Sequence, residues 1–229
     1  MMITKNYSFA GVELQISMAE EIMYTNDRYL APFAVDAVAD PHIFTFELCE
    51  NLPAPQGDCV AKIPAFRVYD EKGTATRYIG SVAHSWENAY ICAQHSGKNH
   101  RVLLKKSWFK DRVGTHTVLS AIAAEHLVAQ AGGVIFHCSF IEHKGKAILF
   151  TAPSGTGKTT QAELWHKYRG ADIINGDRAA IRETDGQLYG AGIPLSGSSV
   201  HCLNRTLPLG AVVYLGQASA TTVRRLKGY

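Results

Sequence analysis

The sequence predicts an α/β protein of the α+β kind: a β-rich N-terminal part followed by a core with a glycine loop and a mixed sheet. Three observations carry that prediction. Residues 1 to about 110 hold short apolar alternations punctuated by glycine- and proline-bearing loops, the mark of half-buried strands. Residues 134–141 and 147–150 are two apolar runs joined around Lys144-Gly145, a connection so tight that it makes them antiparallel neighbours. The second run opens into Ala152-Pro153-Ser154-Gly155-Thr156-Gly157-Lys158-Thr159-Thr160, and residues 161–168 then read as a helix. A shift in composition between the halves sets two units, 1–114 and 115–229.

In the first unit, residues 7–16 have patches of alternation, and 43–48 puts Phe44, Phe46 and Leu48 on one face of a strand. Pro53, Pro55 and Gly57 mark 51–64 as a loop. Residues 66–69 and 75–79 flank Asp70-Glu71-Lys72-Gly73 as a hairpin, and 88–93 pairs with 100–104 across Ser96-Gly97-Lys98-Asn99. Residues 18–39 leave room for a short helix. Trp86, Trp108 and Phe109 either offer rings to a ligand or fill the core.

The second unit starts with residues 117–130, rich in helix formers, which read as one helix with Leu119, Ile122, Ala123, Leu127 and Gln130 near one stripe. Gly132-Gly133 stops it. Past the glycine loop, Arg169-Gly170 ends the next helix, and 171–174 is a strand leading to Asn175-Gly176-Asp177-Arg178. Residues 181–183 and 187–189 form a hairpin, 190–198 a flexible loop and 209–215 a last strand.

The glycine loop is where these elements acquire a chemistry. Gly155 and Gly157 let the backbone bend without Cβ clashes, so that several N–H groups turn towards one anion. The helix start carries roughly half a positive charge from its unpaired amides, and Lys158 adds a whole one. This is the plan of a P-loop (Walker A) cradle for ATP, with Ser154, Gly155, Thr156, Gly157, Lys158, Thr159 and Thr160 as the binding residues. Thr159 offers a hydroxyl to Mg²⁺, which takes oxygen ligands. The strict pattern G-x-x-x-x-G-K-[ST] is missed once, because Ala152 stands where its first glycine belongs. Asp177, past the end of an apolar strand, either reaches Mg²⁺ or is a turn aspartate, since Asn-Gly-Asp is sound turn chemistry by itself.

Residues 134–226 together resemble the kinase core of the HPr kinase/phosphorylase family, which shares its fold with phosphoenolpyruvate carboxykinase. Residues Ser154 to Thr160 look like the carboxykinase-type P-loop almost letter for letter. His137 sits where HPr kinases keep a histidine near the transferred phosphate, and Asp177-Arg178 looks like the end of their Asp-Asp-Arg segment. Residues 189–197 are similar to the family's Tyr-Gly-x-Pro-Trp-x-Gly loop, with Leu195 for the tryptophan. The resemblance implies a carboxykinase/HPr-kinase-like core that transfers the ATP γ-phosphate to a hydroxyl, on a protein serine or a small molecule, with Mg²⁺ held by Thr159 and Asp177. His137, Lys158 and Asp177 are then the catalytic set. Two departures qualify it: Gly176 replaces the first carboxylate of the family's pair, and residues 115–229 read as lacking the family's C-terminal segment. Asp177 would then serve the metal, leaving His137 as the base or relay, a task histidine suits near neutral pH; a strand histidine satisfied by hydrogen bonds is the other reading. Arg224 and Arg225 either contact phosphate or are solvated terminal charges.

Composition narrows the partners. A net charge of +3 with no basic run argues for neither nucleic acid nor a membrane surface. Five scattered cysteines, never in a C-x-x-C pair, fit a reducing cytoplasm better than a disulfide framework or structural zinc. A homo-oligomer stays open. Against the kinase stands a second class, a catalytically weak nucleotide-binding regulatory or scaffold protein, suggested by Gly176 and the short tail.

Overall fold

The computed structural model describes residues 1–20, 22, 29–80, 88–109, 114–197 and 199–226. They form an α+β arrangement of two mixed sheets with few helices.

The first sheet begins with a hairpin of β1 (Met2–Phe9) and β2 (Val12–Ala19), closed by Ala10 and Gly11, both at positive φ as a two-residue primed turn requires. In β2, Val12, Leu14, Ile16 and Met18 are buried and the residues between them half-exposed, so one face meets the core. A two-residue strand, β3 (Ala34–Val35), pairs on the far side of β1. β4 (His42–Cys49) runs parallel to β2 and buries Phe44 and Phe46. The sheet continues out of sequence order through β9 (Asn99–Lys105), β8 (Ile91–Ser96), β7 (Thr74–Ile79), β6 (Phe66–Glu71) and β5 (Asp58–Ile63). The two expected hairpins are therefore present.

β5 is a strand where the sequence predicts a loop. All its residues are exposed, so neither face demanded apolar alternation, and an edge strand of this kind leaves little periodicity in sequence. Of the stretch considered for a short helix, the described residues give the end of β2 and a 3₁₀ turn at Ala31–Phe33 that buries Phe33; residues 21 and 23–28 lie outside the described residues, as does Trp86. Phe109 is buried in the core, while Trp108, 44% exposed, stacks on Tyr90 with centroids 4.8 Å apart.

The single helix expected over 117–130 is two, α1 (Thr115–Ala121) and α2 (Ala124–Gln130), broken at Ala123 with φ 53°. Burial explains the break. Val118, Leu119, Ala121, Ile122, Ala124, Leu127 and Val128 are all buried, and at about 100° per residue they would girdle one straight helix. Splitting it gives each piece one buried side, at the cost of a left-handed alanine. These side chains join a core that reaches from β1, β2, β4, β8 and β9 to Ala180 and Ala191 of the second sheet and to Ile193 in the loop after them.

The second sheet is built on β10 (Gly133–His143), joined to β11 (Lys146–Thr151) by the predicted hairpin turn. Next come α3 (Lys158–Arg169), ended by Gly170 at φ 65°, then β12 (Asp172–Asn175), β13 (Arg178–Thr184), β14 (Gln187–Ala191) and β15 (Thr206–Tyr214). β11 and β15 are parallel while the other pairings are antiparallel. The circuit β11–β15–β14–β13–β10 closes on itself through the β10–β11 pairing, and β12 lies outside it on β10. Cys138, Phe140, Ala147, Leu149, Ala179 and Ile181 pack together on one side of this circuit. Ile141, Phe150 and Ile173 pack with Ala162 and Trp165 of α3 on the other. Among the described residues no helix is long and apolar enough to cross a membrane.

Three imidazoles tie β4, β8 and β9 together. His100, buried, lies 3.0 Å from His42 Nδ1 and 3.3 Å from His95 Nδ1, and stacks on Phe44 at 4.1 Å. Burial pushes His95 down to about 4, helped by Arg77, His126 and His42. Burial likewise pushes His100 down to about 3, with His95 and His42 adding to it. His42 is lowered by burial and by Lys98, against the pull of Asp40. Unfolded histidines near 6.5 take up protons that the folded chain refuses, so this contribution to stability is whole above about pH 6.5 and drains away as pH falls towards 4. Urea midpoints are expected to hold level from about pH 8 to 7 and to fall between about 6.5 and 5, with a shallower fall in His100→Gln. Parallel pH profiles for parent and variant would refute that assignment.

Candidate functional site

The site grows from two adjacent residues of β10. On one edge of the strand Cys138 stands opposite Thr151, the last residue of β11; on the other, His137 stands opposite Arg178, the first residue of β13. The Thr151 hydroxyl donates to the His137 carbonyl at 3.1 Å, and the Cys138 N–H donates to the Asp177 carbonyl at 2.9 Å. The glycine loop on one side and Asp177 on the other are thus tied to neighbouring peptide units.

In the loop, Gly155 and Gly157 adopt φ 78° and 110°, which a side chain would resist. Ala152 has no positive φ, so the departure from the strict motif costs no backbone strain. α3 starts at Lys158 with no side-chain cap, leaving its first amides to the loop. Ser154, Thr159 and Thr160 are exposed and Thr156 half-buried. Lys158 is buried, and its ammonium donates to the carbonyls of Ala152 at 3.1 Å and Pro153 at 3.4 Å. An ammonium has three donors, so one is left over.

Asp177 is 26% exposed and His137 52%. One carboxylate oxygen of Asp177 lies 3.4 Å from His137 Nε2, and the other accepts from Arg178 Nε at 3.2 Å. Arg178 in turn faces Glu125 of α2 at 4.0 Å. Beneath them the Cys138 thiol is pushed up to about 12, chiefly by burial; the Ala179 amide and the Lys158 charge oppose the shift while Asp177 adds to it. One sulfur therefore feels both the loop's lysine and the aspartate. Beside His137 a cleft of about 370 Å³ is lined by Glu125, Ala129, Gly133, Val134, Ile135, His137 and Arg178.

The sequence reading of the Asn-Gly-Asp segment as turn chemistry overlooked Asn175, which is fully buried. Its Oδ1 accepts from the N–H groups of Asp177 and Arg178, each at 2.9 Å, and its Nδ2 donates to the carbonyls of Ile193 at 3.0 Å and Leu195 at 3.1 Å. One side chain thus shapes the turn that carries Asp177 and binds it to the following loop. Glu125, with no motif around it, was also missed. The loop crowds this turn: a Cβ on Gly197 would meet the Asp177 carboxylate at 2.8 Å, and one on Gly176 would meet the Ser199 side chain at 2.2 Å. Arg224 and Arg225 are exposed in a tail without helix or strand.

No family model matches the chain, and no curated protein matches it. Among solved structures it is similar to the Hpr(Ser) kinase/phosphatase from Coxiella burnetii, at 12% identity and a TM-score of 0.32. The match covers 39% of this chain and 64% of that one. A TM-score of that size does not establish a common fold.

Asn175→Ala strands two amides and two carbonyls, and a loss of about 2–3 kcal/mol in urea unfolding is expected. Asn175→Asp keeps the acceptor but sets a carboxylate oxygen against the Ile193 and Leu195 carbonyls. Faster proteolysis within residues 190–198 should accompany it, and an unchanged cleavage rate would show that Asn175 does not hold that loop.

Proposed function

We propose that the chain is an ATP-dependent P-loop kinase, moving the γ-phosphate to a hydroxyl on a protein serine or a small molecule. The observation that carries the reading is the register of β10, which has the glycine loop with Lys158 on one edge and Asp177 on the other, with His137 between them. The resemblance of residues 134–226 to the HPr kinase/phosphorylase core points the same way.

The residues fit the groups this chemistry needs. A polyphosphate is an acceptor-rich anion; the loop offers uncapped amides and the remaining donor of Lys158. Mg²⁺ prefers a few hydroxyl and carboxylate oxygens and keeps waters. The exposed Thr159 hydroxyl suits it, and so does Asp177, because a carboxylate has about four acceptor sites and His137 and Arg178 engage only two. The metal, when bound, neutralises charge on the phosphates.

In the transfer, the acceptor oxygen bonds to the γ-phosphorus, the bond from that phosphorus to the β–γ bridging oxygen breaks, and ADP leaves. The hydroxyl proton goes to His137. An imidazole with its proton on Nε2 turns that proton to Asp177 and leaves Nδ1 to accept. Holding the hydroxyl in line is worth about 7–11 kcal/mol of barrier, and Lys158 and the loop amides stabilise the phosphoryl oxygens.

A specific observation supports the second reading, a nucleotide-binding protein with little catalysis. The position where the family keeps its first carboxylate is closed, since any side chain at Gly176 strikes Ser199. Restoring a carboxylate therefore requires Gly176→Asp together with Ser199→Gly. Transfer or hydrolysis by that double variant, with none in the parent, would favour the binding reading.

Calorimetry with MgATP is expected to show binding that weakens at least about ten-fold, or about 1.4 kcal/mol, in Lys158→Ala. A folded parent that gives no heat with MgATP or MgADP overturns the proposal. In single turnover with γ-labelled ATP, His137→Ala should slow transfer by about 10²–10⁴-fold. A parental rate across pH 6 to 8 would make this histidine structural.

A further inference from the structure

We propose that the phosphoryl acceptor is an extended peptide, docked as an added strand on the open edge of β10 between Gly133 and His137. The inference rests on the kinase reading above and supplies its substrate class and docking surface. β10 is covered unequally. Along its second half both edges are taken, by β11 on one side and β12 on the other. Along its first half, β13 continues on the β12 side, meeting His137 to Gly133 in descending order, whereas β11 has ended at Thr151 and become the glycine loop. No strand among the described residues pairs with the opposite edge of residues 133–137.

The bond directions follow from two hydrogen bonds of β10. In an antiparallel ladder, the N–H and C=O of one residue point to the same neighbour, and successive residues alternate. The Cys138 N–H goes to Asp177 on the β13 side, and the His137 carbonyl receives the Thr151 hydroxyl on the β11 side. Alternation from these anchors sends the backbone groups of Val134 and Phe136 to β13, and those of Gly133 and Ile135, with the His137 N–H, to the open edge. Donor and acceptor pairs repeating about every 6.6 Å match an extended backbone, which is how a peptide adds to a sheet.

Position ties this edge to the chemistry. It ends at His137, beside Asp177 and the start of the glycine loop, so a strand laid along it delivers a serine hydroxyl to the proton acceptor. Alternate side chains of that strand fall over the cleft of about 370 Å³ that Glu125 and Ala129 of α2 form with Ile135 and Arg178. A small-molecule acceptor would use the His137 end and leave the remainder of the edge unengaged.

The test uses the full chain, MgATP labelled at the γ-phosphate and a library of serine-containing dodecapeptides. The best substrate is then N-methylated one backbone position at a time. Methylation at every second position on one side of the serine is expected to cut kcat/KM by about ten-fold, with the intervening positions nearly silent. Ile135→Pro removes a donor aimed at the open edge and none aimed at β13, so the peptide KM should rise about ten-fold while MgATP affinity stays at the parental value. The proposal is overturned if a chain that binds MgATP phosphorylates no peptide, if methylation acts without regard to parity, or if Ile135→Pro leaves the peptide KM unchanged and instead alters self-association. Loss of MgATP binding in the parent is a separate result, and it removes the kinase reading itself.

Discussion

Everything at the candidate site depends on β10 changing partners halfway along. A strand has two edges, and a site that brings a glycine loop and a carboxylate together can hang one from each. Here the hydrogen bonds that do so come from consecutive peptide units, His137 receiving Thr151 and Cys138 donating to Asp177. Because side chains repeat with a period of two, a slip of one residue in either pairing would turn His137 to the opposite face. The register is protected by what lies beneath it. Phe140, Leu149, Ala179 and Ile181 pack on one side, and Ile141, Phe150 and Ile173 against α3 on the other, so a slip would expose both sets.

The fold was readable wherever one face of an element is buried and the other wet. β2, β4 and the hairpins closed by a residue followed by glycine obey that rule, and their alternation or turn chemistry is written in the chain. Where the rule fails, sequence fell silent. β5 buries neither face, and the α1–α2 break contains neither glycine nor proline; only the three-dimensional need to bury residues on all sides of one helix explains it. The glycine loop and its helix were legible because a bend with positive φ at Gly155 and Gly157 restricts residue type at fixed spacing. Asn175 was not, because its importance lies in four partners, two of them about twenty residues away, and a buried asparagine looks in sequence like any turn residue.

Asp177 joins a turn to a cluster of charged side chains. It does sit in an Asn-stabilised turn, and its carboxylate also points into a cluster with His137 and Arg178. Turn geometry and charge are cooperating, since the backbone amide that Asn175 fixes belongs to the same residue whose side chain faces the imidazole. The loop of residues 193–197 closes over this turn with no space to spare, and the turn, the loop and Gly176 are constrained as one piece.

The position of Cys138 has a consequence for handling the protein. A thiol held near 12 and sealed from solvent forms almost no thiolate at neutral pH, so alkylating reagents and peroxides should meet Cys59, on the exposed edge strand β5, long before it. Modification of Cys138 then requires β10 to part from the glycine loop or from the Asp177 turn. Its slow labelling is a built-in clock for how often that seam opens.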